Sequence, residues 1–170
     1  MRTVAVIDYD KQWPELFEAE NSRLQLLLGK VVIRIHHIGS TSVPGLAAKP
    51  VIDIMLEVVG LSELDSYNTM MQRAGYVARG ENGIPGRRYF VKGGDNRSHQ
   101  LHAFVTGDMQ IVKHLAFRDY LIKNHPIAVQ YAGIKRAAAL ACKNDIHRYS
   151  AIKADFIAHH LRLALAHLEP

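Results

Sequence analysis

A chain of 170 residues with 48% hydrophobic content can bury one core but not two comfortable ones, so wholesale disorder is excluded and a single domain over 1–170 is expected. The formal charge of +5 suits anionic ligands, yet basic residues come only as GRR and KR, without an aromatic-rich RNA-binding signature, which argues against nucleic acid as a partner. No apolar run approaches the roughly 20 residues of a membrane span. The opening MRTVAVIDYDKQW lacks the form of a secretory signal, and the lone Cys142 fits a reducing compartment, so a cytoplasmic protein without membrane contact is expected.

Asp10 can cap a helix through KQWPELFEAENSRLQLLL, with Pro14 in its first turns and Gly29 as its stop. Trp13, Leu16, Phe17, Leu24, Leu27 and Leu28 recur at helical spacing and predict one buried face. VVIRIHHI then reads as a strand, and after a polar loop VIDIMLEVV reads as a second. LSELDSYNTMMQRAGY predicts a helix capped by Ser62 and ended near Gly75. RRYFVK and HQLHAFV read as strands on either side of the loop GGDNRS. From Asp108 onward three helices are expected, broken at His125-Pro126 and Asn144-Asp145. Cys142 lies in an alanine-rich helical stretch, where a small buried thiol is the ordinary role. The order predicts an α+β fold: a small mixed sheet with packed helices over 1–107 and a helical part over 108–170, the latter a cap or far wall for a cleft.

The loop and the second strand carry the chemistry. Gly39 allows close backbone approach to a ligand, and Ser40, Thr41 and Ser42 offer hydroxyl and amide donors to phosphate. An ordinary turn between strands would not need twelve further residues, Thr41 to Ile52, and a lysine. Lys49, held extended by Pro50, and the pair Arg87 and Arg88 can neutralise phosphate charge. On the strand, alternation puts Asp53, Met55 and Glu57 on one face and Ile52, Ile54, Leu56 and Val58 on the other. Asp53 and Glu57 are therefore the candidate catalytic carboxylates and ligands for Mg²⁺, with Mn²⁺ as the alternative. The competing roles are an Asp53 that caps backbone amides or pairs with Lys49, and a solvent-exposed Glu57 near the strand end. The loop is neither a Walker A nor a dinucleotide fingerprint.

Arg88, Phe90 and Lys92 share a face by the same alternation, and Arg88 and Lys92 would form a basic wall for a triphosphate. His99 and His102 face opposite ways, which leaves His102 as the candidate site histidine and a hydrogen-bonded structural role as its alternative. His159, His160 and His167 read as surface residues, and Tyr131, Tyr149 and Phe156 as core.

The segment HIGSTSVPGLAAKPVIDI closely resembles the signature of the GrpB family, also called UPF0157 proteins. YDKQWPELFEAE, AGY, FVK, HQLHAF, FRDYL, YAGIK and YSAIKADFI extend the resemblance over nearly the whole chain. The resemblance implies a nucleotidyltransferase-like fold of the DNA polymerase β type, and in some proteins a related domain follows dephospho-CoA kinase. It adds Lys135 in YAGIK and Lys153 in YSAIK as ligand-binding candidates. Ile38-Gly39-Ser40 and Asp53 match the superfamily pattern, but its second metal acid is replaced by Met55, which cannot ligate Mg²⁺ usefully. Glu57 would have to substitute for it, and His102 for the third acid.

Two functions stay open. One is metal-dependent nucleotidyl transfer on a nucleotide or CoA-type phosphate ligand. The other is a non-catalytic nucleotide-binding or protein-interaction module that has lost the second carboxylate.

Overall fold

The computed structural model describes residues 3–168. Helix α1, Trp13–Leu28, buries Trp13, Phe17, Leu24 and Leu28, the apolar stripe visible in the sequence, together with Glu20. Asp10 accepts from the Gln12 amide at 2.8 Å ahead of its first turn, and Gly29, at φ 54°, ends it.

Strands β1 (Val32–Ile38), β2 (Ile52–Val58), β3 (Tyr76–Ala78), β4 (Arg87–Lys92) and β5 (His99–Val105) form one sheet in the order β1-β2-β5-β4-β3. Only the β2–β5 pair is parallel, so the sheet is mixed as expected. Strand β3 was not expected, because three residues at a sheet edge are too few to display an alternating pattern. The anticipated single helix after β2 is two, α2 (Leu61–Asp65) and α3 (Asn68–Arg73). Ser66 Oγ donates to the Glu63 carbonyl at 2.6 Å at the break, the local competition by which serine interrupts a helical ladder. Gly60, rather than Ser62, precedes the first of them.

After Val105 the chain is helical: α4 (Met109–Lys123), α5 (His125–Ala141) and α6 (Ile146–Ala166), making six α-helices among the described residues. Asp108 caps α4 by accepting from Gln110 N at 2.8 Å. Asp145 caps α6 by accepting from His147 N at 3.0 Å and Arg148 N at 3.2 Å. No described helix is long and apolar enough to cross a membrane.

Each face of the sheet has its own partners. Ile54, Leu56, Leu101, Ala103 and Phe90 pack with Tyr76 against α1 and form the main core. That face also holds buried Glu20, which accepts from Tyr76 Oη at 2.6 Å and Lys92 Nζ at 3.2 Å and pairs with Arg23 at 3.2 Å. The opposite face carries Asp53, Met55 and Glu57 beside Gln100, His102 and Phe104. Helix α4 covers part of it, Ile111 packing with Ile38, Met55 and Phe104. Helices α5 and α6 lie beyond, joined to α4 through Ala116, Tyr120, Tyr131 and Ala164. His160 is 8% exposed and shares a 3.0 Å hydrogen bond with Tyr120 Oη, so this residue is interior rather than superficial as its sequence setting suggested. Cys142 is a buried free thiol, as expected.

Candidate functional site

The end of β1 leads into Gly39, whose φ of 71° and ψ of −174° belong to a region open to glycine almost alone. A Cβ there would stand 2.7 Å from Asp53 Oδ2, so glycine is also what allows the loop to lie against the carboxylate. Residues Ser40–Ser42 then form one tight turn. Ser40 lies beside the Tyr131 hydroxyl of α5. Thr41 Oγ1 lies 2.9 Å from His37 Nε2, and burial holds that histidine down to about 4, hence neutral.

Asp53 projects from β2 with 27% of its side chain exposed. His102 Nε2, on the neighbouring strand, is 3.2 Å from its Oδ1. Arg87 Nη1 is 3.4 Å from His102 Nδ1. A guanidinium only donates, so Nδ1 accepts and the Nε2 proton points at Asp53. With its amide oriented to satisfy both ends, Gln100 donates to the same Oδ1 at 3.0 Å. Burial opposes ionisation of Asp53, but the His102 hydrogen bond, then the charges of Lys49 and Lys153, outweigh it and hold the carboxyl below its ordinary range.

Three amines line the same hollow, a cleft of about 330 Å³ shared by Ser40, Asp53, Tyr149 and Ser150. Lys49 Nζ sits 5.0 Å from the Tyr149 ring centre and Lys153 Nζ 4.6 Å from it. Burial pushes Lys153 down, against the pull of Asp53. Lys135 is 1% exposed, with its Nζ 4.5 Å from the Tyr131 ring centre and without a hydrogen-bond partner among the described residues. Burial first, then the charges of Lys153, Lys49 and Arg136, push it down to about 6.

The structure thus brings Ser40, Thr41, Lys49, Asp53, Lys135 and Lys153 to one cleft, with Gly39 behind it. Four other candidates lie elsewhere. Glu57 is 6% exposed and engaged by His36 Nε2 at 2.8 Å and Thr106 Oγ1 at 3.3 Å. It shares a face with Asp53 as alternation required, but its neighbours reach it first and it does not line the cleft. Arg88 and Lys92 do share a face with Phe90, but it is the α1 face: Arg88 is bound to Asp65 at 2.9 and 3.2 Å, and Lys92 to Glu20. The basic wall is therefore absent from the cleft. His102 supports Asp53 from behind and does not line the hollow.

Tyr89, Gln100, His147, Tyr149 and Ser150 are lining residues that the sequence did not single out as ligand contacts. The last three come from the first turns of α6, and no local pattern announces that a helix nearly a hundred residues later packs back over Asp53.

The donor set does not fit a protein-held divalent ion. The position where the resemblance called for a second acid is Met55, 0% exposed and packed with Ile38, Phe104 and Ile111. Glu57 is committed elsewhere, and among the described residues no group of three or more His, Cys, Asp or Glu comes together. One carboxylate among three amines is the donor set of an anion site rather than of a cation site.

A five-stranded mixed sheet whose Gly-Ser loop abuts an aspartate on the adjacent strand defines a nucleotidyltransferase-like fold. The structure of Cid1 in complex with its short product ApU matches it with a TM-score of 0.53 at 14% identity, over 76% of this chain and 42% of that one. Residues 3–162 match the family model described as GrpB protein, and the chain belongs to the GrpB family. The crystal structure of conserved protein GrpB from Enterococcus faecalis superposes with a TM-score of 0.91 at 39% identity, covering 95% of this chain and 98% of that one. UPF0157 protein YqkA of Bacillus subtilis (strain 168) is 44% identical over 156 residues, 92% of this chain but 46% of the relative, so the chain spans about half that protein's length. A dephospho-CoA kinase of Mycolicibacterium paratuberculosis is 27% identical over 175 residues, covering 88% of this chain and 43% of that protein.

Proposed function

We propose that this GrpB protein binds a phosphate-bearing small molecule, a nucleotide or CoA-type ligand, in the lysine cleft. The observation that carries the reading is the convergence of Lys49, Lys135 and Lys153 with Ser40 and one ionised carboxylate on a hollow of about 330 Å³. That volume lies within the range of about 300–1,000 Å³ usual for small-molecule sites. A second hollow of about 390 Å³, lined by Asn96 and Arg97, shares Lys49 and Val51 with the first, which supports a ligand longer than a phosphate group. In this reading the amines neutralise phosphate oxygens, the Ser40 turn donates to them, and Asp53 orients the amines and accepts from a ligand hydroxyl.

A thermal-shift panel of nucleotides, CoA and inorganic phosphates, with and without Mg²⁺ or Mn²⁺, tests it. A ligand at a hundredfold excess over Kd should stabilise by about 2.7 kcal/mol, roughly 5–10 °C in Tm. The expected result is a metal-independent shift, smaller in Lys153→Met. No shift with any phosphate compound would sink the reading and leave a protein-interaction surface.

A catalytic form is favoured by one observation, the ionised Asp53 held against Gly39 in the superfamily's arrangement. Here Asp53 would accept the proton of an attacking hydroxyl. Pyrophosphate release from a triphosphate panel, lost in Asp53→Asn, is its test, and a requirement for Mg²⁺ or Mn²⁺ in that assay would restore the metal role assigned to Asp53 from sequence.

A further inference from the structure

A buried amine without a hydrogen-bond partner is expensive to keep. Lys135 is such a group: it is 1% exposed, its Nζ has no hydrogen-bond partner among the described residues, and it forms part of the cleft wall. The titratable groups that act on it are basic or aromatic. On its own helix stand Tyr131, whose ring centre is 4.5 Å from Nζ, and Arg136, which is paired with Asp8. Helix α6 brings Lys153, and the segment before β2 brings Lys49. Asp53, the single acid lining the cleft among the described residues, is engaged by His102 and acts on Lys153. Such a setting disfavours the ammonium form and leaves the Nζ lone pair unused. An arginine would hold a phosphate more securely, since its charge cannot be lost. What a lysine offers here and an arginine does not is a nucleophilic nitrogen.

Resting on the anion-binding reading above, we infer that Lys135 is a nucleophile that forms a reversible imine with a small phosphorylated aldehyde or ketone, whose phosphate lies against Lys153 and the Ser40 turn. The Nζ lone pair forms the C–N bond as the carbonyl π pair moves to oxygen. That oxygen takes a proton from solvent while the nitrogen gives one up, leaving a neutral carbinolamine. Its hydroxyl takes a second proton and departs as water, and the nitrogen lone pair closes the C=N bond to give a protonated imine. One water is released and nothing is oxidised or reduced; hydrolysis by the reverse steps returns the free lysine. Burial and the neighbouring charges, which push Lys135 down to about 6, keep most of it as free amine at pH 7, where an ordinary lysine is neutral in only about one molecule in 2,500. A hollow of about 330 Å³ accommodates a ligand of this size beside the amine.

The test incubates the full chain at pH 7 with glyceraldehyde 3-phosphate, or with glyceraldehyde as the phosphate-free control. Cyanoborohydride fixes each imine as a secondary amine, and peptide mass spectrometry locates it. Lys135 should be the site fixed fastest, about tenfold or more faster with the phosphorylated aldehyde than with the control. Excess inorganic phosphate should slow that labelling, and Lys153→Met, with folding verified by its thermal transition, should shrink the ratio between the two aldehydes. Labelling confined to exposed lysines, with inorganic phosphate still raising Tm, would overturn the inference and leave anion binding intact. Equal labelling of Lys135 by the two aldehydes would overturn the phosphorylated ligand class. Absence of Lys135 labelling together with no effect of inorganic phosphate on Tm would overturn both readings.

Discussion

Two groups of buried charge sit on opposite faces of the same sheet and are built on opposite principles. At Glu20 one acid is surrounded by a tyrosine hydroxyl, a lysine and an arginine, with His99 Nε2 a further 3.9 Å away. Burial opposes its ionisation, but Tyr76, Lys92 and His99 together outweigh that and keep the carboxyl below its ordinary range. At Asp53 the proportion is reversed, three amines lining the same hollow as one acid, and the most buried of them, Lys135, has no hydrogen-bond partner among the described residues. A structural charge is one whose partners are all protein groups. A buried amine without a hydrogen-bond partner at the wall of a hollow is what the proposed ligand would satisfy.

The largest effect that would break this contrast is at Glu20. Glu20→Ala strands the Tyr76 hydroxyl and the Lys92 ammonium, and urea titration should show a loss of about 3 kcal/mol with phosphate-ligand affinity unchanged. A comparable loss of affinity would mean the two clusters are not independent. Gly39→Ala should come next, at about 2 kcal/mol for a side chain in a glycine-only conformation. It should also weaken ligand binding, because its methyl group would displace Asp53 Oδ2. Normal affinity in that variant would show that Asp53 need not lie against the loop.

The smallest effect sharpens the comparison by its sign. Lys135→Met should stabilise the ligand-free protein by about 1 kcal/mol or more while weakening phosphate binding. The folded amine titrates near 6 and the unfolded one near 10.5, so between those values the unfolded chain binds the extra proton. Wild-type stability contributed by this residue therefore rises with pH across that window. The advantage of the variant should be full below pH 6 and vanish as pH approaches 10.5, which thermal melts at several pH values would measure. A variant destabilised throughout would make Lys135 structural.

Much of this arrangement was legible in the residues. The apolar stripe of α1, the four longer strands and the three C-terminal helices follow from periodicity, and Asp53 stands out as an acid set in an otherwise apolar run. Side-chain parity was also readable: Arg88, Phe90 and Lys92 do share a face, as do Asp53 and Glu57. Which face looks into the cleft was not, because alternation fixes relative orientation only. That depends on Phe90 joining the α1 core, a tertiary fact. Glu57 was misjudged for a related reason, since His36 lies opposite Met55 across the β1–β2 ladder and its ring is long enough to reach the acid. Lys135 and Lys153 stood out only through family resemblance; on a helix wheel they look like ordinary solvated lysines.

The Asp145 cap has a bearing on all of this. His147, Tyr149, Ser150 and Lys153 lie in the two turns that follow it, so the wall of the cleft is the starting end of a helix, the part of any helix quickest to fray. On the proposed binding function, ligand capture and local winding would be one equilibrium, and amides 147 to 153 should exchange with deuterium more slowly once the cleft is filled.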